Sequence, residues 1–146
     1  MIKMPPIEKI PEAYTAIEDE RVVMYDDHAT IKSSNRKKEY TIKWKDNLYY
    51  SNDNSTYWQN YPGYPVLAVL MLQNKLSLNR KISSLFKGID WSTLNRKNKR
   101  NYRLSLESIL ENLPRDEREK IDEEITTVYK ELANLPIELT RKNIKE

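Results

Sequence analysis

The fold of this chain is decided by residues 61–72, which read YPGYPVLAVLML. The segment starts as a proline-rich turn and continues as seven consecutive apolar residues, Val66 to Leu72. Proline is favoured in the first turn of a helix, and a helix that is apolar on all sides is normally buried. The apolar run is about a third of the ~20 residues that span a bilayer. Residues 66–75 are therefore predicted to form a central core helix, and no membrane partner is expected.

Short strand-like segments precede this helix. Glu39–Lys45 alternates strictly and places Tyr40, Ile42 and Trp44 on one face. Similar segments are separated by polar turn clusters, and they occupy residues 21–25, 29–32 and 48–51. Because short turns join consecutive strands, the economical topology is an antiparallel β-meander of three to four short strands. Residues 20–60 are predicted to be this β-rich half.

The flanking segments have weaker patterns. Residues 1–19 contain three prolines, so we predict an N-terminal arm with no more than one or two helical turns. Residues 52–61 are rich in turn formers and are predicted to be the loop between the two halves. Residues 135–146 follow a predicted helix stop at Asn134 and Pro136, and we expect a frayed tail.

Residues 61–134 are predicted to be helical. A second helix is capped by Ser77 or Asn79 and ends at Gly88, and a third begins at Trp91 after its cap Asp90. Pro114 separates a fourth helix from a fifth, and we expect these two to pack as an antiparallel pair. The predicted fold class is therefore α+β, with a meander followed by four to five helices in one domain, residues 1–146.

The composition excludes several classes of function. The chain of 146 residues has no cysteine, which rules out disulfides and thiolate chemistry, and only two glycines, so glycine-rich phosphate loops are missing. Its one histidine, His28, follows Asp26-Asp27 in a predicted hairpin turn, where neighbouring side chains diverge. We predict a protein that is not an enzyme, with no cofactor, metal site or catalytic residue. The N-terminus lacks the ~7 to 15 apolar residues of a secretory signal, so we expect a cytoplasmic location.

Positive charge is concentrated in the middle of the chain. Residues 61–113 carry nine basic and three acidic side chains, whereas the flanking segments are nearly balanced. Such a block is the electrostatic pattern of a protein that neutralises phosphates. Within residues 75–103, a capped helix, a turn at Gly88 and a helix from Trp91 resemble a helix-turn-helix. We therefore predict binding to DNA or RNA through the following residues: Arg80, Lys81, Arg96, Lys97, Lys99, Arg100 and Arg103.

The alternative interpretation of this block is a solvated basic surface that pairs with the acidic fifth helix. That helix carries five carboxylates that could pair with the block: Glu117, Asp122, Glu123, Glu124 and Glu131. Runs of charge are usually solvated surface, so the two interpretations differ in whether the basic side chains are paired internally.

Aromatic side chains cluster just before the basic block. Five of them are predicted to serve in stacking or at an interface: Tyr49, Tyr50, Tyr57, Trp58 and Tyr61. Rings with polar tips suit base stacking and protein interfaces, but they also fill cores. A ring exposed beside Lys43 or Lys45 would favour a binding surface. The second functional hypothesis is a non-catalytic interaction module, a homodimer formed through residues 49–64.

Overall fold

A computed structural model describes residues 2–145 of the chain, and it shows five strands and seven α-helices among them. The strands are β1 Val22–Met24, β2 His28–Lys32, β3 Glu39–Lys45, β4 Leu48–Ser51 and β5 Glu138–Thr140. The helices are α1 Lys9–Glu18, α2 Asn54–Gln59, α3 Tyr64–Leu72, α4 Arg80–Ser83, α5 Trp91–Lys97, α6 Tyr102–Leu110 and α7 Arg115–Ala133. A 3-10 turn, Ser84–Phe86, extends α4. The prediction of a mixed α+β fold is confirmed.

The strands form one sheet in the order β1-β2-β3-β4-β5. The first four are antiparallel neighbours, as the predicted meander requires. The fifth differs from the prediction, because residues 138–140 were expected to belong to a frayed tail. They pair in parallel with β4, and Leu139 lies opposite Tyr49. Ile137, just before β5, is buried in the core and anchors this segment.

One core lies between the sheet and the helices. The inner face of the sheet contributes Ala29, Ile31 and Ile42, which have no exposed surface. Helix α3 packs on this face, as predicted for the apolar run, and α1 packs on α3. Burial of apolar side chains stabilises this arrangement by about 25 cal/mol per Å².

The segment that was predicted to be an N-terminal arm forms the ten-residue helix α1. Pro11 is tolerated because it lies in the first turn, where backbone N–H groups have no helical partner. Tyr14 is fully buried, and so are Lys9 and Glu12 apart from a few per cent of their surface. Helix α2, within the predicted loop, also differs from the prediction. Its Asp53 cap accepts a hydrogen bond from the backbone N–H of Thr56 at 3.1 Å.

Helix α5 begins at Trp91 and α7 directly after Pro114, as predicted, but the predicted second helix is only the four-residue α4 and a 3-10 turn. Asn79 caps α4 and Asp90 caps α5, and Gly88 adopts the left-handed conformation with φ 78°. The expected pairing of α6 with α7 is not the main contact of α7. Its buried stripe faces α1 and α4 instead, and an exposed ion pair between Arg118 and Glu107 (3.0 Å) joins it to α6. Over the described residues, none of the helices is both long and apolar enough to cross a bilayer.

Candidate functional site

A cleft of about 620 Å³ separates α2 from the connection between α5 and α6. Trp58 and Tyr61 line one side, and Arg100 and Tyr102 line the other. The cleft therefore brings residues of the predicted aromatic cluster together with a residue of the predicted basic block. Trp58 is 67% exposed, which is unusual for the largest apolar side chain and leaves its ring free for a ligand.

The aromatic side of the cleft is held by a buried hydrogen-bond network. Asp53 accepts bonds from the Ser51 hydroxyl and the Thr56 backbone N–H, and the Thr56 hydroxyl accepts from the Gly63 N–H at 2.9 Å. A Cβ on Gly63 would collide with the Asp53 carboxylate, so only glycine fits there. Asn60 ends α2 in the left-handed conformation, with φ 60°. These contacts fix the chain that carries Tyr61.

The cationic side is a tight turn. Lys99 and Arg100 both adopt positive φ, 53° and 64°, which is uncommon for two consecutive non-glycine residues. The backbone N–H of Arg100 donates to the Asn95 carbonyl at 2.6 Å, and the Asn101 side chain caps α6. Strained backbone of this kind is concentrated at functional sites. Here the turn places the Arg100 side chain at the cleft.

Two lysines pack on the rings of the cleft. The Lys9 ammonium lies 4.4 Å from the centre of the Tyr102 ring, and the Lys3 ammonium lies 5.6 Å from that of Tyr61. Lys3 also donates to the Gln59 carbonyl at 3.3 Å. Cations at these distances are attracted to the negative face of a ring. Arg100 is thus the cationic side chain that lines the cleft, and Lys3 and Lys9 lie against two of its rings.

Lys9 belongs to a buried ion pair. Its ammonium lies 3.6 Å from a Glu12 carboxylate oxygen, and both side chains are less than a tenth exposed. Burial acts to lower the pKa of Lys9, but the carboxylate of Glu12 and the nearby ring of Tyr102 outweigh it, and that pKa is raised. Burial raises the pKa of Glu12, although Lys9 and a hydrogen bond from Asn95 oppose this. Lys9 is therefore protonated at neutral pH.

The basic residues predicted from the sequence divide into three groups. Arg80 pairs with Glu18 of α1 at 2.8 Å, and Lys81 borders a groove against the acidic residues of α7. Arg100 lines the cleft. The remaining four are exposed around α5 and α6, and none lies within 4.0 Å of a carboxylate in residues 2–145: Arg96, Lys97, Lys99 and Arg103.

The predicted aromatic residues are also divided. Tyr49 has no exposed surface and donates to Gln73 at 2.6 Å, so it contributes to the core rather than to a surface. Tyr57 packs edge-on against Trp58, with ring centres 4.8 Å apart. Tyr50 lies on the outer face of the sheet, opposite Lys43. The predicted cluster is therefore not one continuous surface.

Sequence reasoning missed Lys9 and Glu12. Their three-residue spacing is compatible with one face of a helix, but nothing local in residues 9–17 marks them as a buried pair. Tyr102 was not among the predicted site residues either. At the start of β2, the His28 ring makes a local polar contact with its neighbour: His28 Nδ1 and Asp27 Oδ1 are 2.7 Å apart. Within residues 2–145, no group of three or more His, Cys, Asp or Glu side chains is arranged to hold a metal ion.

The fold and the cleft define a small α+β domain with an aromatic and cationic recess beside its central helices. The chain belongs to the family described as uncharacterised conserved protein UCP014422, whose model matches residues 2–138. The match covers both sides of the cleft. Neither the curated proteins nor the solved structures contain a significant match to this chain.

Proposed function

We propose that this chain is a small intracellular nucleic-acid-binding protein, and that the ligand enters the cleft between α2 and the α5–α6 turn. The observation that carries the proposal is that exposed Trp58 and Arg100 line the same recess. A ring that stacks on a base next to a cation that meets a phosphate is the combination that nucleic-acid sites use. Within residues 2–145, Arg96, Lys97, Lys99 and Arg103 surround the α5–α6 turn with no carboxylate within 4.0 Å of their charged groups, which supports the same assignment.

The helix-turn-helix interpretation of residues 75–103 has less support. Helix α4 has four residues and continues as a 3-10 turn, so the segment lacks a full first helix. Trp91, at the start of the candidate recognition helix α5, is buried and donates to the Thr15 hydroxyl at 2.8 Å. Helix α5 is thereby fixed to α1. We therefore favour binding at the cleft over insertion of α5 into the groove of a duplex.

Fluorescence anisotropy with labelled oligonucleotides at ~50 mM salt tests the proposal. Arg100→Gln should weaken binding roughly three- to tenfold, and Trp58→Ala should weaken it about fivefold or more, because stacking is worth ~1 to 3 kcal/mol per base. Lys120→Gln on α7 removes the same charge from a different groove and should have no effect. Absence of binding to DNA and RNA, single-stranded or duplex, would overturn the proposal.

The alternative function is a homodimer formed through residues 49–64. It is supported by the exposure of Trp58 and by its contact with Tyr57. Large exposed aromatic side chains are enriched at protein interfaces. Sedimentation velocity at ~100 µM distinguishes the two functions. A dimer that Trp58→Ala dissociates would favour self-association, and a monomer at this concentration would contradict it.

A further inference from the structure

The outer face of the sheet carries a row of aromatic and cationic side chains. Tyr50 on β4 lies opposite Lys43 on β3, and Lys43 lies opposite His28 on β2. Directly opposite residues of neighbouring strands share a face and have Cβ atoms ~5 Å apart. Tyr25 extends the row, because its ring stacks on His28 with centres 4.5 Å apart and planes 8° from parallel. The row crosses three strands.

A recess of about 560 Å³ lies on the same face. Three lysines line it, Lys43, Lys45 and Lys145, together with the hydroxyls of Thr30 and Thr41. None of these lysines has a carboxylate within 4.0 Å in the part of the chain that the structure describes. The carboxylate at the recess belongs to Asp27, which contacts His28. Three lysines and one described carboxylate line the recess, so its lining complements an anionic ligand.

The C-terminal segment connects this recess with the cleft. The Arg141 guanidinium donates to the carbonyls of Tyr57 at 2.7 Å and Trp58 at 3.4 Å, and Trp58 lines the cleft. Four residues later, Lys145 lines the recess on the sheet. Four Cα–Cα steps of at most ~3.6 Å span no more than about 14 Å. Arg141 at α2 and Lys145 at the recess are therefore held close together by the short segment between them.

We propose that the outer face of the sheet is the second part of the nucleic-acid site, and that the ligand is a single strand running from the cleft onto the row of Tyr50, Lys43 and His28. This inference rests on the proposed function and specifies its substrate class. In a duplex, the faces of the bases are already stacked on one another, so rings on a sheet and an exposed tryptophan have no base face to contact. Lysines beside the rings neutralise the phosphates between stacked bases.

Anisotropy titrations of the full chain with a 16-nucleotide single strand, DNA and RNA in separate arms, and with the matching duplex test this. Tyr50→Ala should weaken single-strand binding about fivefold or more, and Tyr50→Phe should bind like the wild type, because the ring is the contact. Lys43→Gln on the same row should weaken it about threefold. Thermal melting of each variant, followed by circular dichroism, establishes that it is folded.

The outcomes separate this inference from the function on which it rests. Suppose that the wild type binds and that Arg100→Gln weakens the binding, but that folded Tyr50→Ala and Lys43→Gln bind like the wild type. The assignment of the cleft is then supported and the site on the sheet is overturned. If the duplex binds as tightly as the single strands, the single-strand assignment is overturned. Without any binding by the wild type, both the function and this inference fail. The inference is supported if single strands bind more tightly than the duplex and if Tyr50→Ala loses affinity while Tyr50→Phe does not.

Discussion

The Thr15 hydroxyl joins α1 to the helices that follow α3. It donates to the Phe86 carbonyl at 2.6 Å and accepts from the Trp91 indole N–H at 2.8 Å, and all three residues are buried. Each buried polar group left without a partner costs about 1 to 3 kcal/mol. A single side chain therefore orders α1 against both the 3-10 turn and α5.

Thr15→Val tests this at the residue scale. The substitution keeps the shape but removes both hydrogen bonds, so we expect the free energy of unfolding to fall by about 2 to 4 kcal/mol. Thr15→Ser keeps the hydroxyl, and its free energy of unfolding should fall by about 1 kcal/mol, because only the buried methyl group is removed. Urea unfolding followed by tryptophan fluorescence measures both. Equal losses in the two variants would show that the hydroxyl does not stabilise the junction.

The Lys9–Glu12 ion pair makes a prediction about pH. Lys9→Met leaves the Glu12 carboxylate buried without its cation, which should cost about 3 to 5 kcal/mol at pH 7. Burial raises the pKa of Glu12, so the folded state binds more protons than the unfolded state as the pH falls towards ~4. The free energy of unfolding that Lys9→Met loses relative to the wild type should therefore be largest at neutral pH and should become smaller on acidification.

Urea titrations of Lys9→Met and the wild type from pH 4 to pH 8 measure this difference. The double variant Lys9→Met/Glu12→Leu is the control, because it removes the carboxylate as well and should recover much of the lost stability. A constant difference between Lys9→Met and the wild type over this range would contradict the role of the pair.

Among the elements, α5 depends on its cap. Asp90 accepts bonds from the backbone N–H of Thr93 at 3.0 Å and from its hydroxyl at 2.7 Å. These bonds hold the pKa of Asp90 below its usual value. The ionised Asp90 therefore stabilises the fold at pH values above the ordinary carboxyl pKa of ~4. This stabilisation is lost as the pH falls through the lower pKa that the group has in the folded state.

Asp90→Ala should lower the free energy of unfolding by about 1 kcal/mol at pH 7. The difference from the wild type should narrow at pH 3, below the ordinary carboxyl pKa of ~4, because the carboxyl group is then protonated in the unfolded state. Asp90→Asn retains a capping oxygen and should stay within a few tenths of a kcal/mol of the wild type at pH 7. Chemical denaturation at the two pH values measures these differences, and an Asp90→Ala variant as stable as the wild type would contradict the cap.

The same elements show how far the sequence predicts the structure. Alternation in Glu39–Lys45 and the caps Asn79 and Asp90 are local signals, and they predict the meander and the helices after α3. Helix α1 could not be recognised locally, because its polar residues find partners far along the chain. Glu12 is bonded to Asn95, and Lys9 packs on Tyr102. Strand β5 has three residues and needs its parallel partner β4 to form.

The cleft was only partly predictable for the same reason. Composition indicated aromatic and basic segments, and Trp58, Tyr61 and Arg100 were among the predicted residues. That they line one recess depends on how the fold places α2 opposite the α5–α6 turn, which no local pattern encodes. Tyr49 shows the opposite case, since a ring predicted for a surface is in the core.

At the scale of the whole molecule, cationic side chains line two surfaces, the cleft and the recess on the sheet, of a chain whose net charge is only +3. Binding should therefore depend on local phosphate contacts and not on overall charge. For single strands the slope of log K against log salt is about −0.7 per neutralised phosphate, so three to six contacts predict a slope between about −2 and −4.

The salt dependence of single-strand binding is the most direct test of this account. Between ~50 and ~300 mM salt, the wild type should follow such a slope, and Arg100→Gln should reduce its magnitude by about 0.7, whereas Lys120→Gln should leave it unchanged. An affinity that does not vary with salt, or a slope that Arg100→Gln leaves unaltered, would contradict the assignment of the cleft as a nucleic-acid site.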